Sequence, residues 1–223
     1  MHFNKLFIIS VISILLFTSC DLFKEIKIEE DKVEAINKRI HDIAKSAESA
    51  EQKIILFNDI LAETDSTIKS VTLKNRSFVM CYTYLSSCYF EIDSTNKVLE
   101  LNDKILKINS NVVQAYFNRG NVYYKNAEYD KAIDQYSEAL KRDDMLMKAL
   151  DNRAHAYTLT EQNDKAISDY ERLVRLGSKT TAVYINLAEL YLKKDNLNQA
   201  KKQYDRAIKI GSLNAIVYYN RGL

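Results

Sequence analysis

The sequence predicts an all-α chain, and three observations carry that prediction. Its 223 residues include no proline and four glycines, whereas multi-stranded β proteins need such turn residues about every ten positions. Tyrosines recur at one fixed interval: Tyr89, Tyr123, Tyr157 and Tyr191 are equally spaced, and Tyr136, Tyr170 and Tyr204 keep the same spacing. Alanines repeat that interval at Ala132, Ala166 and Ala200, as expected of a helical unit stacked on copies of itself. With 47% hydrophobic and 28% charged residues the chain is globular rather than disordered. Lys and Arg number 32 against 30 Asp and Glu, so the strong positive field that drives nucleic-acid binding is missing, and no nucleic-acid partner is expected.

Residues 1–20 read MHFNKLFIISVISILLFTSC, with Lys5 ahead of an uncharged run from Leu6 to Phe17. That run is short of the roughly 18 to 20 residues needed to cross a bilayer as a helix, and reads as an export signal that is removed. Phe17, Thr18, Ser19 and Cys20 resemble the lipobox of bacterial lipoproteins, with Phe17 where leucine is commonest. The resemblance implies a signal peptide over 1–19, lipidation of Cys20, and a membrane anchor in which each buried methylene supplies about 0.8 kcal/mol. The expected address is the bacterial cell envelope, the outer membrane rather than the inner, with the soluble part periplasmic or surface-exposed. Asp21 resembles an inner-membrane retention signal of some bacteria, but that rule varies between lineages and does not choose the membrane.

Between residues 20 and 78, apolar side chains at helical spacing (Val33, Ile36 and Ile40, then Ile54, Ile55, Phe57, Ile60 and Leu61) predict two or three helices. This segment reads as an N-terminal helical cap on the array, or as a degenerate repeat. Cys81 and Cys88, seven apart on one predicted helix, have Cα atoms about 10 Å apart, beyond the roughly 7 Å limit for a disulfide. They are expected to be small buried hydrophobes. Neither has the His or Cys neighbours of a metal site.

The repeating columns define units at 79–112, 113–146, 147–180 and 181–214, with the start of a further repeat at 215–223. Ser86, Gly120, Ala154, Ala188 and Gly222 form a small-residue column, expected where two helices cross closely. Gly177 and Gly211 are placed to end helices in the left-handed conformation. Asn96, Asp130, Asp164 and Asn198 mark helix starts, at or near the N-caps.

These units resemble tetratricopeptide repeats, in which helix A carries an aromatic, a leucine, a small residue and a tyrosine, and helix B carries alanine, an aromatic and alanine, over a period of about 34 residues. The second unit supplies Tyr116, Arg119, Gly120, Tyr123, Ala132, Tyr136 and Ala139. The third supplies Leu150, Arg153, Ala154, Tyr157, Ala166, Tyr170 and Leu173; the fourth, Tyr184, Leu187, Ala188, Tyr191, Ala200, Tyr204 and Ala207. Unit 79–112 is degenerate, with Val98 and Asn102 replacing alanine and the aromatic. Ser110, Asp144, Ser178 and Ser212 stand in place of the proline that usually closes the unit. Arg119, Arg153 and Arg221 occupy the leucine column and are expected to bury their stems while the guanidinium reaches solvent or a carboxylate. The stretch 215–223, AIVYYNRGL, copies the start of the second unit with no second helix after it. Either the chain is incomplete there or a partner covers it.

The resemblance implies a right-handed solenoid of antiparallel helix pairs whose helices A line a concave groove. By the family pattern that groove takes Gln114, Phe117, Asn118, Asn121 and Tyr124 from one unit, with Lys125 beside them. Lys148, Asp151, Asn152 and His155, then Leu159, come from the next, and Ile185, Asn186, Glu189 and Lys193 from the fourth. The column Asn118, Asn152, Asn186, Asn220 has two open readings: its amides grip an extended peptide backbone, or they bond within the array. The lysine and arginine clamp of the chaperone-type members is absent, because Phe117, Ala182 and Asn186 hold its basic positions. The groove therefore suits an amphipathic or extended polypeptide better than a strongly acidic one.

No HExxH, glycine-rich phosphate loop or nucleophile elbow is present, and the histidines are His2, His41 and His155. His155 stands near Asp151, but no nucleophile or metal cluster accompanies the pair. The chain is read as non-enzymatic, with no cofactor and no metal. Its expected role is a membrane-anchored scaffold that binds a protein or peptide for envelope complex assembly. The alternative is a glycan- or nutrient-binding outer-membrane lipoprotein. Such proteins generally add long inserted loops, whereas the units at 113–146, 147–180 and 181–214 follow one another without insertion.

Overall fold

The structure, a computed structural model, describes the backbone of residues 3–211 and 215–222 and the side chains of 24–211 and 217–222. The expected signal segment 1–19 and the lipidation site Cys20 lie outside the residues with described side chains. Among the described residues there is no strand; the helices are α1 (Phe3–Lys45), α2 (Ala50–Thr67), α3 (Val71–Glu91), α4 (Thr95–Ile108), α5 (Val113–Lys125), α6 (Tyr129–Arg142), α7 (Met147–Leu159), α8 (Asn163–Arg175), α9 (Thr181–Lys193), α10 (Leu197–Ile210) and α11 (Ala215–Arg221). They group into two compact units, 1–94 and 95–223. The division falls inside the span 79–112, and α3 begins at Val71, ahead of position 79.

In the first unit α2 packs on both α1 and α3, and α1 packs on α3. Val33, Ile36 and Ile40 form the buried stripe of α1 and Phe57 and Ile60 that of α2, with Cys81 and Leu85 buried on α3. These are i, i+3 and i+7 or i, i+3 and i+4 spacings, one face of a helix each. Ser49 and Ser70 cap α2 and α3, accepting from the backbone N–H of Gln52 and Leu73. Cys81 and Cys88 are free and buried, and burial pushes the Cys81 thiol up to about 12, so it stays protonated and unreactive at neutral pH.

In the second unit each helix from α4 onward packs on the next, and α5 also touches α7. Ala132, Ala166 and Ala200 meet the fully buried rings of Tyr136, Tyr170 and Tyr204 in a continuous core. Gly120 shows why the small column exists: a Cβ added there would lie 2.5 Å from Cε1 of Tyr136. Ala154 and Ala188, at the same repeat position, are fully buried.

The turns between helices carry a column that composition did not reveal. Asp93, Ala127, Glu161 and Asp195, each one repeat from the next, all adopt left-handed φ values of 61°, 59°, 58° and 55°, and none is glycine. Gly177 and Gly211 do take the left-handed conformation, with φ of 79° and 110°, and Gly211 caps α10. The expected start signals shift slightly. Asp130 and Asp164 sit inside the first turns of α6 and α8, behind cap positions held by Glu128 and Gln162 without a side-chain cap bond. A carboxylate there is favoured by the helix dipole rather than by capping. Asn196, just ahead of Asn198, is the residue that caps α10.

Candidate functional site

Helices α5, α7 and α9 begin the three pairs of the second unit and carry the groove residues expected from the sequence, and none of these is fully buried. The floor beneath them is made by tyrosines from the partner helices. On α5 the Phe117 ring lies 5.9 Å from that of Tyr136. Tyr136 donates its hydroxyl to Asn121 Oδ1 at 2.9 Å, and the same oxygen accepts from Asn152 Nδ2 at 2.9 Å. Gln114 is exposed and donates to Asn118 Oδ1 at 2.7 Å, while Tyr124 packs edge-on against Tyr129 at 5.4 Å.

On α7 Lys148 is exposed, and His155 packs edge-on against Tyr170 at 5.9 Å. Its Nε2 lies 3.9 Å from Asp151 Oδ1 and 3.2 Å from Asn186 Nδ2. An amide N–H can donate there when Nε2 carries no proton. Asn186, on α9, also donates to the Tyr170 hydroxyl at 3.1 Å. Ile185 is half-buried and Glu189 exposed. His155, Thr158, Tyr170, Asn186, Glu189 and Lys193 are among the residues lining a small cleft of about 80 Å³.

The asparagine column bonds inside the array. Asn152 reaches Tyr136, Asn186 reaches Tyr170 and Asn220 reaches Tyr204, each across the same 16-residue step. For Asn118 that step lands on Asn102, where the tyrosine is missing, and the buried Asn118 Nδ2 has no partner among the described residues. Spacing alone places these tyrosines in the repeat and does not show their hydroxyls at the groove floor, although the constant step from each asparagine back to a tyrosine carries that signal.

Burial pushes the Tyr136 and Tyr170 hydroxyls well above their ordinary range. Tyr124 is raised by burial first and then by Tyr129 and Asp151. The Asp151 carboxyl is itself raised by burial, partly offset by His155. All of these groups favour their neutral forms more than they would in water.

The arginine column turns away from this floor to carboxylates on α4, α8 and α10. Arg153 forks onto Asp169 with Nε and Nη2 at 2.8 Å each and donates Nη1 to Ser137 at 2.9 Å. Arg119 and Arg221 reach Asp103 and Asp205, both at 2.7 Å. Among the described residues no group of three or more His, Cys, Asp or Glu could hold a metal ion, and no helix is long and apolar enough to cross a membrane.

Family models described as tetratricopeptide repeat match residues 113–144, 148–177 and 181–210. Solved structures with the same fold include PilF of Pseudomonas aeruginosa, 17% identical with a TM-score of 0.67 over 86% of this chain and 82% of that one. MamA is 20% identical with a TM-score of 0.59, covering 74% of this chain and 95% of that chain. YrrB is 18% identical with a TM-score of 0.59, covering 86% and 100%. At these identities the likeness is one of fold. Comparison with curated protein sequences gave no match.

Proposed function

Starting from a tetratricopeptide-repeat protein with consecutive repeats across residues 113–210, we propose a non-catalytic scaffold that binds a polypeptide partner along α5, α7 and α9 and is held in the bacterial cell envelope by a lipid on Cys20. The observation that carries the binding role is the state of the helix-A face. Phe117, Tyr124, Asp151, His155, Ile185 and Glu189 all remain open to solvent or half-covered, on a floor where Tyr136 and Tyr170 already have their hydroxyls bonded to asparagines. Half-buried aromatic and aliphatic side chains beside solvent-accessible polar groups are what an extended or amphipathic peptide can cover. The fold neighbour YrrB is described as a TPR protein with an unusual peptide-binding site, a property of that protein that agrees with this reading.

The envelope part of the proposal rests on the run from Leu6 to Phe17 followed by Thr18, Ser19 and Cys20. Lipidation there would raise the local concentration of membrane partners at the groove. Assembly of an envelope complex is the role that joins the two features.

Crosslinking in intact cells, followed by purification through the chain, tests the binding role. Asn152 belongs to the internal ladder, so the control variant is Tyr124→Ala with Ile185→Ala, which strips groove side chains and leaves the rungs intact. A partner recovered with the native chain and lost with the variant is expected. Identical recovery from both would remove the basis of the groove reading. For the anchor, Cys20→Ser is expected to abolish palmitate labelling, and retained labelling would overturn it.

A further inference from the structure

Resting on the groove reading, we propose that the partner is a polypeptide that places a lysine or arginine side chain on Asp151, between two apolar side chains that meet Phe117 and Ile185. Phe117, Asp151 and Ile185 hold one and the same repeat position on α5, α7 and α9. Read along the array, that position is apolar, acidic, apolar.

The acidic step has no cation of its own. Among the described residues the one side chain paired with it is the His155 imidazole, with Nε2 at 3.9 Å, and that same nitrogen faces the Asn186 amide. Lys148, one turn before Asp151 on α7, and Lys193, at the last residue of α9, are exposed, and the ion pair of Asp151 is with His155. The carboxylates below the floor are treated differently, since Asp103, Asp169 and Asp205 each receive an arginine of this chain. Asp151 keeps 38% of its side chain exposed, so a cation can reach it, and its charge is felt at Tyr124 and Tyr170, whose hydroxyls it helps to push up. A carboxylate half-removed from water beside aromatic rings attracts an ammonium or guanidinium more strongly than one on an open surface. Glu189, exposed on α9, adds to the same sign of charge.

Geometry sets the spacing of the ligand. Side-by-side helices lie about 8 to 10 Å apart, and an extended chain advances about 3.3 Å per residue. One repeat step therefore spans about three residues, and the ligand pattern is apolar-x-x-basic-x-x-apolar.

A random library of eleven-residue peptides, panned on the immobilised full chain in detergent, tests this. Enrichment of peptides with a central Lys or Arg and apolar residues about three positions to each side is expected, with affinity for the best of them at least ten-fold weaker in Asp151→Asn. Asp151→Lys is expected to reverse the choice toward a central Glu or Asp, which a merely misfolded variant could not do. Enriched peptides that lack a basic residue, lose affinity in Phe117→Ala and ignore both Asp151 variants would overturn this inference and leave the groove reading standing. No enrichment at all, from a chain shown to be folded, would overturn both.

Discussion

Asn186 donates its side-chain amide to the Tyr170 hydroxyl at 3.1 Å, and this bond between α9 and α8 is one rung of a ladder that recurs once per repeat. Asn152 with Tyr136 and Asn220 with Tyr204 make the same bond across the same 16-residue step. Each rung satisfies a hydroxyl whose ring is fully buried, and it joins α7, α9 or α11 to the helix that precedes it in the chain.

The ladder should be measurable as coupling. Tyr170→Phe removes the hydroxyl and keeps the packing, and is expected to cost about 1 kcal/mol, the net worth of one such hydrogen bond. In a double-mutant cycle with Asn186→Ala, urea unfolding is expected to give a coupling energy of about 0.5 to 1.5 kcal/mol. Strict additivity would show that the rung contributes nothing.

The first rung is broken, which gives an internal comparison. Asn152 Nδ2 bonds to Asn121 and Tyr136, whereas the buried Asn118 Nδ2 has no partner among the described residues. Asn152→Ala is therefore expected to destabilise the chain by about 1 kcal/mol more than Asn118→Ala, measured as the difference in unfolding free energy.

Gly120 tests the crossing point. Its Cβ would sit 2.5 Å from Tyr136 Cε1 and 2.6 Å from Cδ1, and the Tyr136 ring, fully buried and hydrogen-bonded to Asn121, has no free path to yield. Gly120→Ala gains about 1 kcal/mol of helix propensity but overpacks the core at a typical cost of about 1 to 3 kcal/mol. A net loss of stability is expected in thermal unfolding, and a gain would mean that the pair separates easily.

Much of this architecture was legible because the repeat writes each contact several times. The small column of Gly120, Ala154 and Ala188, the buried alanines and the helix-ending glycines could be read from spacing alone. The left-handed turn column could not, because Asp93, Ala127, Glu161 and Asp195 share a backbone conformation without sharing a side chain; there the stacked helices impose the φ value. The groove was legible as a face and not as a network. Position on helix A says which way a residue points, but only the neighbouring helices decide that Asn152 and Asn186 spend their amides on tyrosines while Asp151 is left without a cation.

Arg153 sits where the repeat usually has leucine, and its fork on Asp169 is partly desolvated, with 17% of the arginine and 8% of the aspartate side chain exposed. Arg153→Ala leaves that carboxylate buried without its partner and is expected to cost about 3 to 5 kcal/mol. Replacing both residues by leucine removes the charge and the need for it together, and most of the loss is expected to return in denaturant titrations. A double variant as unstable as Arg153→Ala would mean that the ion pair itself, rather than the stranded charge, holds α7 to α8.

Alkaline pH should unfold the chain through its buried acids. Tyr191 is pushed up to about 12 by burial and then by its hydrogen bond to the Glu171 carboxylate; Tyr136 and Tyr170 are raised by burial in the same direction, and Cys81 reaches about 12 in the first unit. A raised folded-state value means that the unfolded chain loses its proton first. The stability from these groups is therefore complete below the ordinary thiol and phenol range, and drains away as pH rises from about 9 toward 12. Urea midpoints are expected to be flat from neutral pH to about 9 and then to fall, with tyrosinate absorbance appearing together with unfolding rather than before it. Tyr191→Phe removes one contributor and is expected to flatten the fall. Tyrosinate that forms gradually near pH 10 while helicity persists would show that the tyrosine columns are open to water.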